Sequence, residues 1–87
     1  MADNKIMIYA LSTCGHCKSA KKFFNDNDIP FNHIDVDLLD KENRKNTLET
    51  VKNYNERMSF PTIVINDTVI VGFKENDIRE ALGLNGS

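Results

Sequence analysis

The sequence predicts an α/β fold, a four-stranded mixed sheet with three helices distributed over both of its faces. Three observations predict it. Hydrophobic periodicity switches between strand-like and helix-like segments in the order strand, helix, strand, helix, strand, strand, helix. The opening strand–helix–strand unit implies two parallel strands joined by a right-handed crossover, and the closing hairpin adds two antiparallel ones. The length, 87 residues, leaves room for one domain over 1–87, built on one small core.

The first strand is Lys5-Ile6-Met7-Ile8-Tyr9-Ala10, an apolar β-branched and aromatic run that fits burial on both faces. Leu11-Ser12-Thr13 forms a loop, and Thr13 is the expected N-cap of the first helix, placing Cys14 in its first turn. Cys17, Ala20 and Phe24 share one face of that helix, with Phe23 alongside, and Asn25-Asp26-Asn27-Asp28 ends it before Pro30. Phe31 to Asp37 alternates apolar and polar residues and predicts a half-buried strand. Leu38 and Leu39 lead into a polar helix from about Asp40 to Glu56, with Leu48, Val51, Tyr54 and Met58 as its thin apolar side. The rest of that helix, near Lys41 to Asn55 and rich in Asn, Lys and Glu, has two readings, a solvated face, which is favoured, or the partner surface of a redox sensor. Arg57-Met58-Ser59-Phe60 connects it to a strand at Thr62-Ile63-Val64-Ile65, with Pro61 at the strand's start, where proline is tolerated. Asn66-Asp67 is a two-residue turn, and Thr68-Val69-Ile70-Val71 is the returning strand. After Gly72-Phe73 comes a last helix, Glu75 to Leu82, with Ile78, Ala81 and Leu82 inward and a stop near Gly83; Leu84 is expected to pack and residues 85–87 to fray.

Composition removes several functions. Eleven Lys+Arg against 13 Asp+Glu, a formal charge of -2, is too balanced for a nucleic-acid grip. With 40% hydrophobic and 28% charged residues the chain is ordinary globular protein rather than disordered. No apolar run approaches the roughly 20 residues of a membrane span. The polar start Met1-Ala2-Asp3-Asn4-Lys5 leads to the expectation of no secretory leader, a cytoplasmic location and a monomer.

The two cysteines, Cys14 and Cys17, enclose only Gly15 and His16. A bridge closing so short a loop removes little chain entropy, so the pair is not there for stability. A structural zinc site wants four ligands. Only His16 and His33 could join the cysteines, and His33 sits mid-strand without a ligand neighbour, so no metal site is expected. Thiol–disulfide exchange, by contrast, needs a thiolate that attacks and a second thiol that resolves the mixed disulfide. Positions i and i+3 at a helix start place both on one face, with the first over unpaired N–H groups and the positive end of the helix dipole. Such a setting favours the thiolate. Cys14 is therefore the expected nucleophile and Cys17 the resolving thiol; Lys18, Lys21 and Lys22 add positive charge nearby, with a modest effect at the sulfur because exposed charges are screened. Gly15 leaves the motif backbone freer than a proline would. His16 has two readings, a tuner of thiolate reactivity or a solvated loop residue.

From Lys5 to Leu84 the sequence resembles the glutaredoxins, of the thioredoxin-fold superfamily. Three stretches carry the resemblance: Cys14-Gly15-His16-Cys17 between strand and helix, Ser59-Phe60-Pro61-Thr62 before a strand, and Val71-Gly72-Phe73 followed by acidic residues and a helix. The resemblance implies a cis-proline at Pro61 facing the cysteines, which turns the backbone of Phe60 toward a bound peptide or glutathione strand. It extends the ligand site to Thr13, Arg57, Ser59, Gly72, Phe73 and Asp77. It implies reduction of protein disulfides or glutathione mixed disulfides, with no tightly bound cofactor and with glutathione or thioredoxin reductase as electron donor. It also raises an alternative, an iron–sulfur or zinc binding module that uses Cys14 together with glutathione. Two positions depart from the glutathione-using pattern. Leu11 stands where a Lys or Arg meets a glutathione carboxylate, and the bulky Phe73 stands where a second glycine lets backbone approach the ligand. Gly72-Phe73-Lys74 instead resembles glutaredoxin-like proteins that serve ribonucleotide reductase and draw on thioredoxin reductase.

Overall fold

The computed structural model describes residues 5–83, so the expectations for Leu84 and for residues 85–87 lie outside the described part. The elements run β1 (Ile6–Ala10), α1 (Gly15–Asp26), β2 (Asn32–Asp35), a 3-10 turn (Val36–Leu38), α2 (Lys41–Tyr54), β3 (Thr62–Ile65), β4 (Thr68–Val71) and α3 (Glu75–Leu82). The strands form one sheet in the order β2-β1-β3-β4. β1 pairs with β2 in parallel, β3 runs antiparallel to β1, and β4 antiparallel to β3. This is the predicted order and sheet.

Strand alternation decides which helix covers which face. Ile6, Ile8 and Ala10 of β1 share a buried cluster with Ile63, Ile65 and Ile70 of the hairpin, with Cys17, Ala20, Phe23 and Phe24 of α1, and with Ile78 of α3. Tyr9, between Ile8 and Ala10, points the other way, and its ring lies 6.1 Å from that of Tyr54 in α2. Thus α1 and α3 share one face and α2 covers the other. α2 contributes Val51 as its fully buried residue, while Tyr54 remains 44% exposed. The thin apolar stripe of the sequence is a thin contact.

The helix ends follow local chemistry. Asp40 caps α2 by accepting the Asn43 N–H at 2.9 Å. At the end of α1, Asp28 takes a left-handed φ of 54°, Asp28 N–H returns to Asn25 and Ile29 N–H to Phe24, the double bond pattern that normally ends on glycine. Asn66 takes φ 55° in the hairpin turn, and the left-handed Gly83 ends α3.

Two expectations need correction. β2 is shorter than Phe31–Asp37, because at Val36 the chain leaves the sheet edge and tightens into the 3-10 turn, burying Val36 and freeing Asp37 for a contact described below. The second helix stops at Tyr54 rather than Glu56, because Asn55 leaves helical geometry and turns its side chain into the following loop. Among the described residues no helix is long and apolar enough to cross a membrane.

Phe24 is fully buried, with ring centroids 5.5 Å from both Phe23 and Phe31. Phe24→Ala is expected to cost about 3–5 kcal/mol, a large part of the roughly 5–15 kcal/mol of a small domain. Urea unfolding followed by circular dichroism measures it.

Candidate active site

One end of the sheet carries the cysteine motif after β1, Pro61 before β3 and Gly72 after β4. β1 ends at Ala10 opposite Asp35 of β2 and next to Thr62 of β3, which pairs with Tyr9. The chain then crosses Leu11-Ser12-Thr13 and starts α1. The N-cap of α1 is Cys14 itself, not Thr13. Its φ of -83° and ψ of 120° are extended, and its own Sγ accepts the N–H of Cys17 at 3.3 Å. The sulfur does the work expected of a threonine hydroxyl, and Thr13 is left exposed one residue earlier. A backbone N–H aimed at Sγ, at the positive end of a helix, is a stronger partner for a thiolate than for a thiol.

The second cysteine has the opposite surroundings. Cys17 is fully buried in the cluster beneath the sheet, whereas Cys14 is half-buried at its margin. Both are free thiols. Burial first, and then the hydrogen bond with Cys14, push the Cys17 thiol up to about 12, against the opposing pull of the Leu11 backbone. One turn of helix therefore separates an accessible sulfur that receives an N–H from a buried one that keeps its proton.

The loop before Cys14 is held from outside the motif. Asp37, just beyond β2, accepts the Ser12 N–H at 2.8 Å and the Ser12 hydroxyl as well. Leu11 in turn gives its carbonyl to the Cys14 N–H at 3.1 Å. Lys21 reaches from α1 to Asp35 at 2.9 Å, with both side chains about one-fifth exposed (22% and 20%), and ties the helix to the same edge. Lys21 is compensated by Asp35 and Lys22 by Asp26, so the net field of the three lysines is weaker than their number implies.

The other wall is the loop before β3. The Phe60–Pro61 bond is cis, and Pro61 is buried. Ser59 and Phe60 are half-buried, and Phe60 packs against the main cluster. Two polar residues that the sequence reading missed shape this loop. Asn55 accepts the Arg57 N–H through Oδ1 at 3.1 Å, and its Nδ2 lies 3.4 Å from the Ser59 carbonyl. Thr62, fully buried, donates its hydroxyl to the same carbonyl at 2.7 Å. Gly72 closes the wall by donating its N–H to the Pro61 carbonyl at 2.8 Å. Its φ of 85° suits glycine, while a Cβ there would meet open space, so conformation rather than crowding sets the residue.

The remaining expected residues divide. His16 is exposed, and its side chain makes no hydrogen bond or ion pair among the described residues, which favours the solvated reading; Gly15 borders open space. Arg57 is exposed on the loop near Pro61. The bulk of Phe73 is turned onto α1, its ring 6.1 Å from that of Phe23, rather than standing free as an obstacle. Asp77 is exposed and lines a groove with Lys74, Glu80 and the residues of β4. Among the described residues no group of three or more His, Cys, Asp or Glu could hold a metal ion.

A parallel β1–β2 pair, an antiparallel hairpin, a Cys-x-x-Cys at a helix start and a cis-proline on the facing loop define a thioredoxin-like dithiol domain. The sequence model of the glutaredoxin family matches residues 6–70, and the chain belongs to that family. Methanoredoxin of Methanosarcina acetivorans superposes with a TM-score of 0.88 at 48% identity, over 93% of this chain and 86% of that one. The glutaredoxin of Methanosarcina mazei Go1 gives 0.84 at 45% identity, over 91% and 78%. A glutaredoxin-like 8.6 kDa protein in the rubredoxin operon of Clostridium pasteurianum is 30% identical over 77 residues, 88% of this chain and 96% of the relative. Human mitochondrial glutaredoxin-2 is 28% identical over 72 residues, 83% of this chain, which spans only 43% of that relative's length.

Two predictions concern the site's electrostatics. Hydrogen bonds from the Ser12 side chain and backbone hold the Asp37 carboxyl below its usual 3.8. A carboxyl lowered on folding adds stability above its unfolded pKa and loses it as pH falls through the folded one. The stability difference between wild type and Asp37→Asn is therefore constant at neutral pH and shrinks below about pH 4; urea titrations at several pH values read it. Alkylation followed by peptide mapping should mark Cys14 alone at pH 7, with Cys17 reacting only in strongly alkaline solution or after unfolding.

Proposed function

We propose that the protein is a thiol–disulfide oxidoreductase that reduces protein disulfides or protein–glutathione mixed disulfides, with Cys14 as nucleophile and Cys17 as resolving thiol. The observation that carries this reading is the unlikeness of the two sulfurs. Cys14 is accessible and receives the Cys17 N–H, and Cys17 is buried with its thiol raised.

The cycle follows from those surroundings. The Cys14 thiolate attacks one sulfur of a substrate disulfide, forms a mixed disulfide and releases the other sulfur as a thiolate, which takes a proton from water. Cys14 then no longer carries charge and no longer competes for the proton of Cys17. Two of the causes that raise the Cys17 thiol, its hydrogen bond and its repulsion with Cys14, disappear at that step. Cys17 loses its proton and attacks the Cys14 sulfur. The second substrate thiolate leaves, and a Cys14–Cys17 disulfide remains, holding the two oxidising equivalents. An external reductant, two glutathione thiols or a thioredoxin reductase, restores the dithiol, and the cycle uses no resident cofactor. The substrate strand is proposed to lie along Phe60. Among the described residues no other backbone group pairs with that residue's N–H or C=O, and it directly precedes Pro61. The inward turn of the Phe73 ring supports keeping glutathione among the donors despite Leu11.

Cys14→Ser should abolish reduction of insulin and of a glutathionylated peptide, and Cys17→Ser should accumulate a mixed disulfide visible by mass spectrometry. Full activity in Cys14→Ser would sink the proposal. Reduction of the oxidised wild type by glutathione, run beside thioredoxin reductase with NADPH, assigns the donor by which restores two thiols faster.

A further inference from the structure

The polar helix α2 carries a feature that the dithiol chemistry does not use. Both of its ends connect at the end of the sheet that holds Cys14: it follows β2 through Val36–Leu38 and leads to β3 through the loop ending in Phe60–Pro61. Along its outer side lies an open groove of about 300 Å³. Leu48 and Met58 are its apolar residues, and both are half-buried. Its inner surface is almost entirely carbon, the aliphatic stems of the lysines included.

The rim is strongly one-signed. Lys41, Lys45, Leu48 and Lys52 fall at i, i+4, i+7 and i+11, one stripe of the helix, and Arg44 stands beside them. Glu49 is the single acid among the lining residues. Arg44 is partly engaged, donating to the Leu39 carbonyl at 3.1 Å. The three lysines are not: the ion pairs among the described residues are Lys21–Asp35, Lys22–Asp26 and Arg79–Glu75. A chain of net charge -2 thus concentrates uncompensated cations on one helix, around an apolar floor. At one end of the floor, Met58 sits two residues before Phe60 in sequence and takes a left-handed φ of 54°.

We propose that this groove docks an acidic polypeptide segment with one or two apolar anchors, carried by the partner protein whose disulfide meets Cys14. The anchors fill the space between Leu48 and Met58, and carboxylates face Lys41, Lys45 and Lys52. Charge complementarity of this kind selects and steers partners. An apolar floor beneath the cations suits a side-chain-bearing peptide better than a bare polyanion. The redox reading supplies only the purpose of the docking, because the surface itself contains neither cysteine.

The test uses a short fluorescein-labelled, cysteine-free peptide of Glu, Leu and Phe, followed by anisotropy with the full chain. Wild type should bind it and lose affinity between 0.1 M and 1 M salt, as the screening length falls from about 10 Å to about 3 Å. Replacing Glu by Gln in the peptide, or Lys41→Glu, Lys45→Glu and Lys52→Glu together in the protein, should weaken binding about tenfold or more. The corresponding triple Lys→Gln variant should fall between, and amide chemical-shift changes should centre on 41–52 and 58. All these variants should reduce hydroxyethyl disulfide, which has no such segment, at the wild-type rate. Equal binding of the Glu and Gln peptides, or an unaffected triple variant, overturns the proposal. So does tighter binding of phosphatidylserine vesicles or a single-stranded oligonucleotide that the triple variant abolishes. Cys14→Ser separates the two readings: it should bind the peptide as wild type does while losing reduction, and retained reduction would remove the redox reading and leave the docking result standing.

Discussion

Cys14 keeps a fixed place at the surface because the turns of α1 that follow it are anchored in the core. Cys17, Ala20 and Phe24 are fully buried on one face of α1, and that face is pressed against Ile8, Ala10 and Ile63 of the sheet. A helix held so firmly cannot rotate, and its first residue is therefore presented at a set angle over the end of β1. The same burial produces the chemical difference between the two thiols. Cys17 lies one turn further in and is removed from water, while Cys14 lies at the helix start, where an N–H of the next turn reaches its sulfur. Packing and reactivity are two results of one arrangement.

Several polar contacts gather where this arrangement meets solvent. Ser12–Asp37 and Lys21–Asp35 join the loop and helix around Cys14 to the end of β2. Asn55 and Thr62 both reach the Ser59 carbonyl, and Gly72 holds the Pro61 carbonyl. Each of these residues is remote in sequence from the cysteines or contributes nothing to the hydrophobic pattern. Their joint effect is two walls of fixed backbone, one bearing the sulfur and one bearing Phe60, whose N–H and C=O pair with no other backbone group among the described residues. The exposed contacts are individually weak. Their value lies in directing a short segment of chain, since small displacements of a reacting group are costly in rate.

Much of the fold was legible in the sequence because it rests on periodicity. β1, β3, β4 and α3 follow from strings whose apolar residues repeat at two or at three to four positions. Errors occurred where polar residues were asked to mark a boundary. Thr13 was the better N-cap by residue type, but the turn at Leu11 sets the register of the helix and delivers Cys14 to that position. The alternation through Asp37 was genuine, yet Val36 gains more by turning into the core than by extending an edge strand. Phe73 read as an obstacle because a sequence contains no side-chain direction; its ring in fact lies against Phe23.

The sequence by itself determined the class of fold, the position of a dithiol at a helix start and the glycine and proline that frame it. Those properties depend on residue type and short spacing, which need no knowledge of the rest of the chain. Only the tertiary structure decided which lysines are compensated and which stand without an ion pair along α2, and how Asp37 holds a loop 25 residues before it. These are properties of distance between segments separated by up to tens of residues, and distance of that kind exists only once the sheet has brought the segments together.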